Sequence, residues 1–448
     1  MNRFVYILQK ALFVLLSFVI LTSCNKEVEE AQVIQNTEDR VKTAIYNSMK
    51  EWYFWNDKLP PSITLSNYST NNDLLADIIN KPIDRWSYLT TQEAFNRAFT
   101  GQNAGHGFGW GFDENEHLYI IFVYKEAPAG KDGWQRGWRV LEINNKPVSS
   151  YKKADGGYDF QIGPNTVGLV NSFKFQLPDG SEVSRTIDKQ EYQSNSVLER
   201  SVIKTGSKNI GYWAYNSFRA SPNVTPTSSI EVDETFNYFL ANNIDELIID
   251  LRYNGGGSVA VTAQILNYLV PNAANGRTMY VNTLNGQKTS QNSSTNFEKK
   301  GTLNLPRLFV ITSRSSASAS ELLINCLEPY MDVTLVGANT YGKPVGSFPL
   351  SRYNRTLLDN NVELVPITFA IANANGKAEY FDGFPVDIMA ADDPAKNWGD
   401  PTERRLKTTL DYILTGSPIG PSGRIMNFQP KWEMIDSFHG LQKEFPAY

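Results

Sequence analysis

Residues 307–321 read Arg-Leu-Phe-Val-Ile-Thr-Ser-Arg-Ser-Ser-Ala-Ser-Ala-Ser-Glu, and this stretch decides the fold. Leu308 to Thr312 is an apolar, β-branched run of the kind that forms a buried strand. Small residues, Ser313 to Ala317, follow as a bend. Glu321, Leu322, Leu323, Cys326 and Leu327 then recur at helical spacing. A serine at a strand-to-helix bend projects its hydroxyl clear of the sheet, beside the free N–H groups of the helix start. Downstream, a second short strand, Val333 to Val336, leads into a glycine-flanked turn carrying Lys343. If that strand returns alongside the first, it brings the amine back to the bend. Ser318 is therefore the candidate nucleophile and Lys343 its candidate general base.

Working outward, strands and helices alternate from about residue 198. Ile210–Tyr215 reads as a strand, Val232–Leu240 as a helix and Leu247–Leu251 as a strand. Arg252-Tyr253-Asn254-Gly255-Gly256-Gly257 is a turn, and Ser258–Leu269 a helix. Such alternation predicts a mostly parallel sheet covered on both faces, with its cleft beyond the strands' carboxyl ends. The triple-glycine turn and the serine bend both fall there. Residues 271–305, rich in Asn, Gly, Ser and Thr, read as an inserted excursion.

Upstream, Thr37 or Asp39 caps a predicted helix through Asp57, with Val41, Ile45, Met49, Trp52 and Tyr53 on one face. A second helix is expected from Asn72 to Ile79. From Gly101 the texture changes to glycines and strands: Gly107-Phe108-Gly109-Trp110-Gly111-Phe112, then Leu118 to Tyr124, Ala127-Pro128-Ala129-Gly130 and Ile143-Asn144-Asn145. This succession resembles a PDZ domain of the bacterial protease type. The resemblance implies that Gly107, Phe108 and Gly109 form a loop receiving an extended peptide; the alternative is a small β-domain with a closed groove.

At the N-terminus, Arg3 and Lys10 give a positive region ahead of an apolar run, Ala11–Leu21, too short for a comfortable membrane span. It ends Leu21-Thr22-Ser23-Cys24, which resembles a bacterial lipoprotein signal and implies lipidation of Cys24. Cys326 is then alone, and no disulfide is expected. The net charge of −5 argues against a nucleic-acid partner.

A serine hydroxyl needs a base. The three histidines, His106, His117 and His439, lie far in sequence from the predicted cleft. Lysine serves if its pKa falls from about 10.4 to near 7, a cost of roughly 4 kcal/mol that burial can supply. Oxyanion donors are expected from the backbone of Ala319 and of Gly255 or Gly256.

Taken together, Leu247-Ile248-Ile249-Asp250-Leu251-Arg252, the glycine turn, Ser318-Ala319-Ser320-Glu321 and Thr340-Tyr341-Gly342-Lys343 resemble the C-terminal processing (tail-specific) proteases, peptidase family S41. Gly383-Phe384-Pro385-Val386-Asp387 and Trp398-Gly399-Asp400-Pro401 resemble its closing segments. The family's serine and its lysine, 25 residues apart, match Ser318 and Lys343. Many members place a glutamine four residues after the lysine to orient it. Here that position is Ser347, which leaves a third catalytic member open.

The resemblance implies an α/β catalytic core of crotonase-like kind, a PDZ-like β-rich domain and a small N-terminal helical domain. The expected boundaries are 1–23 signal peptide, 24–36 tether, 37–98 helical domain, 99–195 PDZ-like domain, 196–420 protease core and 421–448 extension. The expected activity is that of a lipid-anchored cell-envelope serine endopeptidase acting on unfolded or C-terminally presented polypeptides. It requires no metal and no cofactor. Two rivals stand: a catalytically silent peptide-binding protein on the same fold, and an esterase or amidase. A lysine base predicts activity that rises from neutral into mildly alkaline pH. A chemistry-limited profile flat from about pH 6 to 9 would remove lysine from that role.

Overall fold

The computed structural model describes residues 37–416. The signal peptide, Cys24, the tether, His439 and the 421–448 extension lie outside the described residues. No helix among those described is long and apolar enough to cross a membrane.

The chain divides into two compact units. The first combines 37–92 with 349–365, so a continuous 196–420 core is not what forms. Tyr88–Thr90 pairs antiparallel with Glu363–Val365, and that ladder draws the later segment in. Glu363 is buried and accepts from the N–H and Oγ of Ser351 at 2.9 and 2.6 Å. The first helix runs over 37–52 and buries Val41, Ala44, Ile45 and Met49 on one face. It stops five residues short of the expected end, where the chain turns and buried Tyr53 donates to Asp84 Oδ2 at 2.7 Å. The second helix, Asn71–Ile78, starts on a reciprocal cap between Thr70 and Asp73.

The second unit opens with an antiparallel sheet in the order Phe108–Phe112, Leu118–Val123, Arg139–Ile143, Val170–Gln176, Glu182–Asp188. Its core is aromatic: Trp110, Trp134, Phe173 and Phe175. Irregular chain, not a helix, covers 152–169. Phe160 of that segment packs on Trp110 with centroids 4.5 Å apart. Lys189, fully buried, pins the segment by donating to the carbonyls of Ile162, Gly163 and Pro164 at 2.8–2.9 Å.

The remainder holds a six-stranded sheet and a four-stranded one. In chain order the strands are β1 (Val197–Thr205), β2 (Lys208–Tyr215), β3 (Glu246–Asp250), β4 (Thr278–Leu284), β5 (Ser293–Asn296), β6 (Arg307–Thr312), β7 (Asp332–Gly337), β8 (Val345–Ser347), β9 (Ile367–Asn373) and β10 (Ile388–Met389). The larger sheet runs β1-β2-β3-β6-β7-β10 and is parallel from β2 onward. Helices α1 (Ile230–Ala241), α2 (Val259–Leu269), α3 (Ala319–Leu327) and α4 (Arg404–Thr415) alternate with its strands; the first three fall where the sequence predicts helices, and α4 has no counterpart in that reading. Its central strands are apolar on both faces because helices cover both: Ile248, Phe309, Ile311 and Val336 share one core with Leu406 and Leu410.

The 271–305 stretch differs from its expected reading. β4 and β5 are half-polar and join β9 and β8 in an antiparallel sheet ordered β5-β4-β9-β8. One face of such a sheet can stay solvated, so the composition is that of a strand pair rather than an excursion.

A buried charge cluster ties the β-rich segment to the parallel sheet. Arg252, 1% exposed, pairs with Asp250 at 2.7 Å, Glu403 at 2.8 Å and Asp392 at 2.7 Å. Arg136 reaches in beside it, bonding Asp392 at 3.0 Å and Tyr253 Oη at 2.8 Å while lying over the Trp398 ring. Burial by itself would raise the pKa values of Asp392 and Glu403. The neighbouring guanidinium groups, Arg252 foremost, win and hold both carboxyls below the usual carboxylate range. Since these folded pKa values lie below the unfolded ones, the stabilisation is complete above about pH 4.5 and is lost as acid protonates the pair. Arg252→Met, which strands buried carboxylates, should cost about 3–5 kcal/mol at neutral pH. Urea unfolding should also show the variant less acid-sensitive below about pH 4.5 than the wild type.

Candidate functional site

Two turns meet at the carboxyl ends of β3 and β6. The serines of the bend stitch them together: Ser316 Oγ donates to Leu251 C=O at 2.7 Å and Ser320 Oγ to Asn254 C=O at 2.9 Å. Ser313 Oγ also bonds Arg252 C=O, and the Ala317 N–H donates to Asn254 C=O at 3.1 Å. Ser316 and Ser320 are therefore committed to the backbone, which leaves Ser318 as the hydroxyl that points elsewhere.

Ser318 caps α3 with φ +57° and ψ −111°, a left-handed conformation rare for a residue with a side chain. Its residue is 2% exposed, and its Oγ has no hydrogen-bond partner among the described residues. Gly256 makes this close bend feasible. A Cβ there would lie 2.8 Å from Ser318 Cβ and 3.0 Å from the Ala319 nitrogen, so only glycine fits.

The lysine turn arrives through a buried carboxylate. Glu321, on the first turn of α3 and fully buried, accepts from Ser318 N–H at 2.9 Å and from Lys343 N–H at 2.8 Å, both on Oε2. Its Oε1 accepts from Gly342 N–H and Thr340 Oγ1, both at 2.6 Å. One oxygen atom thus holds the backbones of Ser318 and Lys343 side by side. Burial pushes the Glu321 carboxyl above its ordinary pKa, opposed by the four donors. Gly342, at φ +96°, permits the turn, because a Cβ there would meet Phe381 C=O at 2.1 Å. Phe384 N–H closes the wrap onto Thr340 Oγ1 at 2.7 Å. Lys343 itself is 4% exposed.

The expected oxyanion donors separate. Gly256 N–H is already given to Asn254 Oδ1 at 2.8 Å, so Gly256 supplies the space beside Ser318 and not a donor. The N–H groups of Gly255 and Ala319 find no acceptor among the described residues. Ala319 opens α3, where a helix leaves its N–H groups unpaired. Ser347 is fully buried on β8, but its Oγ has no partner among the described residues. The possibility that Ser347 orients the lysine thus has no hydrogen bond to support it.

The peptide-loop residues are placed differently from one another. Phe108 opens an edge strand, whereas Gly107 and Gly109 are required by internal packing. A Cβ on Gly107 would sit 1.9 Å from Ala127 Cβ, and one on Gly109 2.1 Å from the Phe122 ring. His106 is buried against Phe108 and Phe173, where burial and the charge of Lys189 push it down to about 4. His117 bonds Asp113 at 3.2 Å. Cys326 is buried, and burial raises its thiol pKa.

The residue that sequence reasoning left without a role is Glu321. Its signal was the Ser-x-x-Glu spacing of a capping box at Ser318. Its second duty, to the lysine turn 22 residues on, has no local signature.

Residues 209–365 match the family model described as Peptidase family S41, and residues 40–88 match the Peptidase S41 N-terminal domain. The chain is 24% identical over 266 residues to the carboxy-terminal processing protease CtpB of Bacillus subtilis (strain 168), covering 59% of this chain and 52% of the relative. It is 25% identical over 247 residues to the carboxyl-terminal-processing protease of Synechocystis sp., covering 54% of each. The chain thus spans about half the length of the curated relatives it matches. In fold it is similar to a Bacteroides fragilis NCTC 9343 crystal structure assigned to S41, with TM-score 0.66 and 20% identity over 83% of this chain and 97% of that one.

Glu321→Gln would turn an amide NH₂ toward two of the four donors. It should destabilise the fold by about 3 kcal/mol, against about 2 kcal/mol for Thr340→Val, which removes one donor and leaves Phe384 N–H without its acceptor. Urea unfolding of both variants checks the ranking, and equal small losses would deny the clamp its importance.

Proposed function

From a chain that belongs to peptidase family S41, we propose a serine endopeptidase in which Ser318 is the nucleophile and Lys343 the general base. The observation that carries this reading is the shared Glu321 oxygen, which seats the serine bend and the lysine turn together at the strands' carboxyl ends. Ser318 Oγ attacks the peptide carbonyl as Lys343 Nζ takes its proton. The oxyanion that develops is met by the N–H groups of Gly255 and Ala319. Lys343 returns the proton to the leaving amine, and water then hydrolyses the acyl-enzyme by the reverse relay.

Ser318 Oγ makes no hydrogen bond among the described residues, so the bond to the base has to form as substrate enters. Catalytic hydrogen bonds often tighten only in the Michaelis complex. Ser318 and Lys343 are both nearly fully buried, so a substrate reaches them only when their cover opens.

The alternating parallel sheet supports a core of crotonase-like kind. Phe108–Phe112 is an edge strand, which supports a PDZ-like role in holding an extended peptide. Cys24 would carry the lipid that anchors the chain in a bacterial cell envelope. The named relatives suggest unfolded or C-terminally presented polypeptides as substrates. A second reading, a silent peptide-binding protein, draws on the unpartnered hydroxyls of Ser318 and Ser347.

A fluorophosphonate probe separates the two. The enzyme reading expects covalent labelling of the wild type, loss of label in Ser318→Ala, and at least a thousandfold lower peptide hydrolysis in that variant, on the order of what removing a nucleophile costs. Folded wild type that neither labels nor cleaves would favour the binder.

A further inference from the structure

β8 meets β9 through a shift of register. Gly346 stands opposite Phe369, and the next residue, Ser347, stands opposite Ile367. Thr368 is therefore the extra residue of a β-bulge. In a ladder, paired residues share a side and successive residues alternate. The pair Val345 and Ala370 sets the side of Ser347, and two residues back from Ala370 comes Thr368, on that same side. The bulge thus turns two hydroxyls, one from each strand, the same way. Bulges re-aim side chains in this manner and concentrate beside active sites.

Lys343 belongs to that side as well. It precedes Pro344, and a residue before proline is held extended by contact with the ring. The ladder reaches back as far, since Ile371 N–H donates to Pro344 C=O at 3.5 Å. Lys343, Val345 and Ser347 then follow one another at two-residue steps, on the side to which Thr368 is turned.

Ser347 and Thr368 are fully buried, and neither Ser347 Oγ nor Thr368 Oγ1 has a hydrogen-bond partner among the described residues. A buried hydroxyl in that state opposes folding, and an apolar side chain of the same shape would not. Two of them at one bulge call for a duty other than stability. Four residues of strand span about 13 Å, too far for a lysine amine and a hydroxyl to meet directly. A single water between them adds two hydrogen bonds of about 2.8 Å each and closes the gap.

We propose that Thr368 and Ser347 are positioning residues for Lys343. Their hydroxyls each accept from one water molecule, and that water accepts an N–H of the amine, which keeps the amine's lone pair turned toward Ser318 Oγ. This rests on the proteolytic reading and adds to it a residue from a different strand. Where a long amide side chain at position 347 would reach the lysine by itself, the bulge supplies two short hydroxyls and a water.

The test compares the wild-type chain with Ser347→Ala, Thr368→Val, the double variant and Thr368→Ser. Four quantities are read: kcat, KM, the rate at which a fluorophosphonate labels Ser318, and Tm. Each single deletion should lower kcat about tenfold. The double variant should lose little more than either, because both hydroxyls hold the same water. KM should stay within about twofold, labelling should slow by the same factor as kcat, and Tm should equal or exceed that of the wild type. Thr368→Ser, which keeps the hydroxyl, should restore kcat to within about threefold. An unchanged kcat in the folded double variant would overturn the proposal and leave the peptidase standing. So would a loss confined to KM, a loss of kcat with labelling undiminished, or a lowered Tm that Thr368→Ser does not rescue. A wild type that neither cleaves nor labels would overturn the peptidase reading and this one with it.

Discussion

Everything at the site depends on one carboxylate. Glu321 is fully buried, and its two oxygens accept four hydrogen bonds from groups on two separate stretches of chain. An isolated carboxylate would not remain in such a place, and four donors without it would be as costly. Each side therefore requires the other, and the result is a joint that cannot slide. Because the joint includes the backbone nitrogens of Ser318 and Lys343, the relative placement of these residues is held by main chain and does not rely on their flexible side chains.

Around this joint the chain uses small residues to bring backbones unusually close. Gly256 leaves the volume that Ser318 Cβ approaches, Gly342 passes against Phe381 C=O, and Ser316 and Ser320 spend their hydroxyls on carbonyls of the 251–254 turn. The strained φ of Ser318 is the local cost of aiming its hydroxyl off the sheet. The surrounding bonds over-determine that conformation, which is why it persists. The same tight packing uses up Gly256 N–H, so the glycine nearest the serine contributes room, and the N–H of its neighbour Gly255 finds no acceptor among the described residues.

A second joint works by charge. Arg136, from the β-rich segment, bonds Tyr253 on the turn that ends in the three glycines, and Asp392 joins Arg136, Arg252 and Tyr253. The apolar cluster of Ile121, Phe122, Tyr124, Ala127 and Tyr253 lies alongside. The β-rich segment and the catalytic turn thus share a polar and an apolar contact, and the turn's geometry is set from outside its own sheet as well as within it.

By itself the amino-acid sequence determined the elements that build the site and their order. The strand of residues 308–312, the helix after Ser318, the alternation from about residue 198 and the two glycine-rich turns all follow from local periodicity and small-residue placement, which depend on near neighbours alone. Only the tertiary structure decided what each polar group is bonded to. That Glu321 also grips Lys343, that Asn254 claims Gly256 N–H, that 349–365 joins the N-terminal unit, and that 271–305 supplies two strands to a second sheet are long-range pairings. A chain's local pattern shows which groups can bond. It does not show which distant partner will satisfy a group once water is gone, because that choice is made by the packing of the whole molecule.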